Sequence, residues 1–266
     1  MLNQSYPGKY NFLFVVLDSC RYDSFREAHT PNLDRCGKAQ LTYSPGYFTL
    51  PSHVAMFRGN LPSNPKLKGY YNRREFIMFR FGGDMLNPLH GRKTGINFNA
   101  TQVADLPDGF RQAGYHTIGI GGVHWFHPAY KTGKCIYYFF EDYWYKEELV
   151  NVDNPESLKH QVAKIGELCV KDKRKKFVFL NVSVTHIPYV IGRKFGLKAG
   201  DRRSQVKGVE HFDEMFPQLI AKVPKPVFVI ITADHGDCFG EDGVWGHPQD
   251  HPILHKVPMV VFESNE

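Results

Sequence analysis

Four apolar runs in this sequence of 266 residues each lead into an acid or an imidazole: residues 12–17 into Asp18, 116–120 towards His124, 177–184 into His186, and 227–231 towards Asp234 and His235. Asp18, Asp234 and His235 make a mixed oxygen and nitrogen donor set. Such a set suits Zn²⁺ or Mn²⁺ and, less well, Ca²⁺ or Mg²⁺. Adjacent Asp234 and His235 reach one ion only across a sharp turn, and Gly236 is expected to supply the freedom for it. A hydroxyl completes the set. Ser44-Pro45-Gly46 reads as a turn, after which Thr49 or Leu50 opens a helix with Pro51 in its first turn. At a helix N-terminus the unpaired N–H groups and the dipole favour anions such as phosphate, and a hydroxyl near a divalent cation can lose its proton and act as a nucleophile. Thr49 alone would be an ordinary cap; beside the metal set it becomes the candidate nucleophile.

These residues need a scaffold that brings distant chain segments together. The runs at 12–17, 177–184 and 227–231 are β-branched or aromatic with little polar alternation, as expected of strands covered on both faces of a parallel sheet. Residues 116–120 form a weaker fourth strand and 257–262 close the chain. Helices are expected at 52–58, 102–113 ending at Gly114, 155–171 and 205–222, the last disturbed by Pro217. Strands alternating with helices predict an α/β fold, a three-layer α/β/α sandwich around a mostly parallel sheet. In such sheets ligands bind beyond the carboxyl ends of the strands, where the acids and imidazoles would converge. Any one alone has an unremarkable reading as a helix cap or a packed group; four together favour a site.

Composition narrows the function classes. Apolar residues at 42% and charged residues at 23% describe a chain able to build a core. No window approaches the roughly 18 uninterrupted apolar residues of a membrane span, and residues 1–10 carry no apolar leader, so no membrane and a cytoplasmic location are expected. Cys20, Cys36, Cys135, Cys169 and Cys238 are odd in number and lack C-x-x-C spacing, which predicts reduced, mostly buried thiols. The net charge of +6 favours anionic partners but is too mild to imply nucleic acid. With no repeat or linker, residues 1–266 read as one catalytic domain, of open oligomeric state. Basic residues 171–176 are expected on the surface, residues 66–80 as an irregular insertion, and 137–145 as core or lid. Gly119-x-Gly121-Gly122 lacks the dinucleotide spacing.

The motifs, in order, resemble those of sulfatase-like members of the alkaline phosphatase superfamily. They are Asp18-Ser19-Cys20-Arg21-Tyr22-Asp23, Thr30-Pro31-Asn32-Leu33-Asp34, Thr49-Leu50-Pro51-Ser52-His53, Ala113-Gly114-Tyr115-His116-Thr117, His186-Ile187-Pro188-Tyr189, and Asp234-His235-Gly236-Asp237 running on to Gly240-Glu241-Asp242-Gly243. The likeness spans nearly the whole chain and is closest to short, signal-less sulfatase-like hydrolases. It implies an alkaline phosphatase-like sandwich with a metal held by Asp18, Thr49, Asp234 and His235.

Departures from the pattern shift the expected chemistry. Sulfatases carry a Cys or Ser, oxidised to formylglycine, where this chain has Thr49, and an Arg where it has His53. Threonine cannot become that aldehyde, so sulfate or phosphonate ester hydrolysis is the alternative reading. The Lys of the sulfate-contacting Gly-Lys-Trp-His segment is missing from Gly121-Gly122-Val123-His124, although His124 can keep its role. A threonine nucleophile resembles phosphodiesterases and phosphoethanolamine transferases. By that likeness His186 and His247 face the substrate phosphate or bind a second metal. His53, His124 and His251 are expected to bind substrate, and His255 to pack. The expectation is a phosphoric ester hydrolase or transferase with one or two ions, a small anionic ester substrate and a phosphothreonine intermediate; a non-catalytic metal-binding protein of the same fold is the further alternative.

Overall fold

The computed structural model describes residues 8–59, 105–130 and 139–265, with residues 133 and 136 between the last two stretches. The insertion expected at 66–80, the first residues of the helix expected at 102–113, and Cys135 lie outside them.

The long strands arise where the sequence is most apolar. β1 (Asn11–Leu17), β2 (Gln40–Tyr43), β3 (His116–Ile120), β4 (Asp142–Trp144), β5 (Lys176–Val182), β6 (Val227–Thr232) and β9 (Lys256–Ser264) form one sheet in the order β2-β9-β6-β1-β5-β3-β4, while β7 (Cys238–Phe239) and β8 (Trp245–Gly246) pair separately. β6, β1, β5, β3 and β4 run parallel; β9 is antiparallel to both β6 and β2. β5, in contact with β1 and β3, is buried at every position. The expected architecture is therefore present: a mostly parallel sheet with helices on both faces.

The two faces are packed differently. Leu13, Val15 and Leu17 of β1 point with Val178, Leu180 and Val182 of β5 into an aliphatic layer shared with two later helices, Ser157–Cys169 and Arg202–Ile220. The alternate residues, among them Val16, Phe177 and Phe179, join Leu50 and Phe57 in an aromatic layer. Numbered along the chain, the helices bounded among the described residues are α1 (Tyr22–Glu27), α2 (Pro31–Asp34), α3 (Thr49–Arg58), α4 (Leu106–Gln112), α5 (Glu147–Val150), α6 (Ser157–Cys169) and α7 (Arg202–Ile220). α6 and α7 cover the aliphatic face, α3 and α4 the aromatic one.

Pro217 does not interrupt α7, contrary to expectation. Proline removes the N–H that would bond the carbonyl four residues earlier, which here is that of Asp213. The side chain of Asn32 donates to that carbonyl at 3.1 Å, so the helix continues to Ile220. The Asp213 carboxylate also caps α2, accepting from the Leu33 backbone N–H at 2.8 Å and from that of Asn32 at 3.2 Å. Cys20, Cys169 and Cys238 are buried thiols and Cys36 is half-buried, as expected. Among the described residues, no helix is long and apolar enough to cross a membrane.

Candidate metal centre and nucleophile

Asp18 is the first residue after β1, Asp234 and His235 follow β6 by two and three residues, and Thr49 opens α3. The parallel register of β1 with β6 puts the first two at one end of the sheet. Ser19 adopts the left-handed region (φ +62°), which turns its backbone N–H onto Asp234 Oδ1 at 3.1 Å. His235 N–H donates to the same oxygen at 3.0 Å. The other oxygen, Asp234 Oδ2, is buried and accepts no hydrogen bond from the described residues. Asp18 Oδ2 accepts from the Asn181 amide at 2.9 Å, and Oδ1 from the Ser19 hydroxyl at 3.1 Å.

The imidazole of His235 completes the group. Its Nδ1–H donates to the Gly236 carbonyl at 2.8 Å, which leaves Nε2 as the lone-pair nitrogen. Nε2 lies 3.4 Å from Asp234 Oδ2, 3.9 Å from Asp18 Oδ1 and 3.5 Å from Thr49 Oγ1. One ligand atom each from Asp18, Asp234 and His235 fall within 4.8 Å of one another. Asp18, Thr49, Asp234 and His235 are fully buried.

Gly236 acts differently from the turn-making role expected of it. Its φ is not positive; instead a Cβ there would approach Arg21 Cγ to 2.7 Å. The residue is small because the buried Arg21 side chain passes beside it.

The electrostatics are lopsided. Burial and the charge of Asp18 push the Asp234 carboxyl well above its ordinary range. Burial also pushes Asp18 up, but His186 and the Asn181 hydrogen bond outweigh it and hold Asp18 low. Burial, reinforced by His247, drives His235 down to about 3, so its ring is neutral. Two buried acids thus face a neutral imidazole and a hydroxyl. A buried carboxylate oxygen with no donor is costly in such a medium, and a cation is the partner that this donor set fits.

A second layer surrounds this set. His186 Nδ1–H donates to the Ile187 carbonyl at 2.5 Å and its Nε2 stands 4.0 Å from Asp18 Oδ1. The His247 ring centroid lies 4.4 Å from that of His235 and 5.6 Å from that of His186. His247 Nδ1 and Asp237 Oδ1 are 2.5 Å apart, and ligand atoms of His235, Asp237 and His247 also gather within 4.8 Å. Asp237, buried, is raised by burial but lowered further by His247, to a net value below the ordinary one.

The three residues expected to bind substrate are placed apart from one another. His53 is fully buried under the nucleophile: Nδ1–H donates to the Thr49 carbonyl at 2.7 Å and lies 3.7 Å from Asp234 Oδ2, with Phe126 and Phe179 edge-on to its ring. His124 pairs with Glu147 at 3.2 Å. His251 caps Ile253 and faces Asp242 at 3.1 Å. His255 packs between the Ser44 carbonyl and Asp250. Sequence reasoning missed Asn181, Asp237 and Tyr189. Asp237 and Tyr189 stood inside motifs already singled out; Asn181 is the one amide in the apolar run 177–184.

Comparison with known proteins extends this geometry. The sulfatase family model matches residues 10–266. No curated protein matches the sequence. Among solved structures, the soluble domain of lipooligosaccharide phosphoethanolamine transferase A from Neisseria meningitidis is 16% identical with a TM-score of 0.63, the alignment covering 96% of this chain and 77% of that one. The C-terminal periplasmic domain of EcEptC from Escherichia coli, solved as a complex with Zn, is 16% identical with a TM-score of 0.61, over 97% and 74%. A protein in the alkaline phosphatase superfamily from Vibrio parahaemolyticus is 17% identical with a TM-score of 0.58, over 98% and 62%. These likenesses establish an alkaline phosphatase-like fold. They also overturn the expectation of a cytoplasmic location. Solved domains of this fold such as that of EcEptC are periplasmic, and a polar N-terminal stretch is no guide to the compartment.

Proposed function

We propose that this chain, which belongs to the sulfatase family, is a metal-dependent hydrolase or transferase of phosphoric esters that acts through a phosphothreonine on Thr49. It is an enzyme of the sulfatase and alkaline phosphatase superfamily. The finer reading rests on one observation: the unpartnered Asp234 Oδ2 and the lone-pair Nε2 of His235 meet beside the Thr49 hydroxyl.

Asp18, Thr49, Asp234 and His235 would hold the metal, zinc or manganese by their donor atoms. Bound there, the ion supplies Lewis-acid stabilisation of phosphoryl charge and a lowered pKa for the threonine hydroxyl. The remaining chemistry belongs to the chain. Thr49 sits at the N-terminus of the ten-residue α3, whose leading N–H groups suit the equatorial oxygens of a phosphoryl group. As the Thr49 Oγ–P bond forms, the hydroxyl proton passes to water and the ester P–O bond breaks. The departing oxygen takes a proton from His247 or His186. Water or an acceptor hydroxyl then releases the phosphoryl group from Thr49. A second ion between His186 and His247 is the alternative use of those rings. Residues 1–266 form one catalytic domain in this reading, and the substrate is a small anionic ester; a nucleic acid is not required.

Bis-p-nitrophenyl phosphate, p-nitrophenyl phosphate and p-nitrophenyl sulfate assayed on one zinc-loaded preparation test the proposal. Phosphate ester turnover is expected, and Thr49→Ala is expected to lower it by on the order of 10³-fold or more with the melting temperature unchanged. Turnover of the sulfate alone would move the activity to sulfate esters. Full activity in Thr49→Ala would remove the nucleophile, and no turnover with metal bound would favour a binding protein.

A further inference from the structure

The reaction proposed above uses His247 as a proton donor, and His247 follows β8, a two-residue strand whose Trp245 is 62% exposed. A short edge strand does not by itself fix an imidazole to the accuracy that proton transfer needs. We infer that Asp237 and Tyr189 are positioning residues that hold the His247 ring so that Nε2 is its proton-delivering atom; this inference rests on the assignment of His247 to the leaving oxygen.

The geometry is a closed chain of donors and acceptors. A carboxylate can only accept, so the 2.5 Å contact between Asp237 Oδ1 and His247 Nδ1 requires the proton on Nδ1. Asp237 Oδ2 is filled at 2.5 Å by the Tyr189 hydroxyl. Both oxygens are thus used, and the carboxylate cannot swing away from the ring without losing a buried hydrogen bond. Asp237 is fixed at its backbone as well: Arg21 Nη1 donates to its carbonyl at 3.3 Å, and the same guanidinium pairs with Asp23 and Glu241 at 2.5 Å each.

Tyr189 bears the strain of this arrangement. It adopts φ +54° and ψ +56°, a left-handed conformation unfavourable for a bulky residue and tolerated where surroundings over-determine it. Those surroundings are present: its N–H donates to the His186 carbonyl at 2.8 Å, its ring lies 5.6 Å from Phe239, and the residue is 1% exposed. The strained turn therefore links His186, which faces Asp18, to the carboxylate behind His247.

With Nδ1–H committed to Asp237, Nε2 is the ring atom that passes a proton to the leaving oxygen as the P–O bond breaks. In the second half-reaction Nε2 takes a proton back from the attacking water or acceptor hydroxyl, which restores the ring. An orienting carboxylate of this kind typically changes activity by about ten- to a hundredfold when altered.

A series of substituted phenyl esters of phosphate, from p-nitrophenyl to unsubstituted phenyl, separates positioning from mere support. The parent enzyme is expected to show a shallow dependence of turnover on leaving-group pKa. Asp237→Asn should lower turnover of the phenyl ester on the order of tenfold more than that of the p-nitrophenyl ester, as His247→Ala does more steeply, with Tyr189→Phe between Asp237→Asn and the parent. A uniform loss across the series, as a structural role would give, overturns the inference. Nitrogen-15 imidazole spectra of the zinc-loaded protein supply a readout independent of turnover. His247, assigned through its loss in His247→Ala, should carry a proton on Nδ1; a proton on Nε2 with none on Nδ1 overturns the inference whether or not any ester is consumed. Absence of turnover from every ester would count against the proposed function, and the spectra would still decide the positioning.

Discussion

The two ends of the same sheet bury the same kinds of groups to opposite effect. At the amino ends, Lys176 opens β5 at 1% exposure and His116 opens β3 at 3%. Their polar heads meet acceptors. Lys176 Nζ donates to the Asp172 carbonyl at 2.9 Å, to Asp172 Oδ1 at 3.1 Å and to the Arg174 carbonyl, while His116 meets Asp142 at 2.7 Å. At the carboxyl ends, Asp18 and Asp234 are buried with no lysine or arginine paired to either among the described residues, and Asp234 Oδ2 has no donor at all. The difference teaches that buried charge does not mark a site. A surplus of acceptors does, because that surplus is stable only beside a cation that the chain itself does not provide.

Removing charge at each end should therefore act in opposite directions. Lys176→Met keeps the aliphatic stem and deletes the ammonium, leaving two carbonyls and a carboxylate without their donor. Chemical denaturation is expected to show a loss of about 2 kcal/mol, with zinc binding unchanged. A loss of zinc binding in that variant would break the comparison.

Asp234→Asn should do the reverse in chelator-stripped protein. The amide oxygen keeps the two N–H donors of Ser19 and His235, and a buried charge beside Asp18 disappears, so stability should rise by about 1 kcal/mol. The sign with pH follows. A carboxyl raised on folding binds its proton more tightly in the native state than in the unfolded one, so the Asp234 contribution to the stripped parent's stability is fully present below the ordinary carboxylate range and is lost as pH climbs through the raised value. Asn at this position should flatten that fall and abolish the rise in melting temperature that zinc gives the parent. A destabilised stripped variant would contradict the surplus.

Lys171→Ala sets the lower limit. Its amine meets Asp142 at 2.7 Å, but the lysine side chain is 59% exposed, so the change should cost less than about 0.5 kcal/mol by the same denaturation assay. A larger loss would show that the amino-end cluster is a coupled network and not a buried core with a solvated rim.

The same contrast explains which parts were legible in the sequence. The apolar runs of β1, β5 and β6 announced a buried parallel sheet, and the acids within two residues of the ends of β1 and β6 announced the site, because strand ends fix both where a side chain sits and which end of the sheet it shares. Thr49 was legible through the Pro51 signal of a helix start. Strands β2 and β4, of four and three residues, fell below the length at which periodicity speaks. The basic stretch 171–176 read as a uniform surface. Lys176 instead turns inward at the first position of β5, a choice set by the carbonyls of the preceding turn, which no pattern of charges encodes. His124 followed a strand as Asp18 does, yet the short helical turn it opens, His124–Phe126, delivers it to Glu147. His53, one helical turn after Thr49, was assigned a substrate-facing role because motif position was the only guide; four residues along α3 brought its ring under the threonine carbonyl and into the aromatic layer.

The most direct test of the central claim is to quench the zinc-loaded enzyme in acid during turnover of a phosphate ester and locate the phosphoryl group by peptide mass spectrometry. Phosphate is expected on Thr49 and is expected to be absent from chelator-stripped protein and from Asp234→Asn. Sustained turnover with Thr49 unmodified and the phosphoryl group on another residue would contradict that claim.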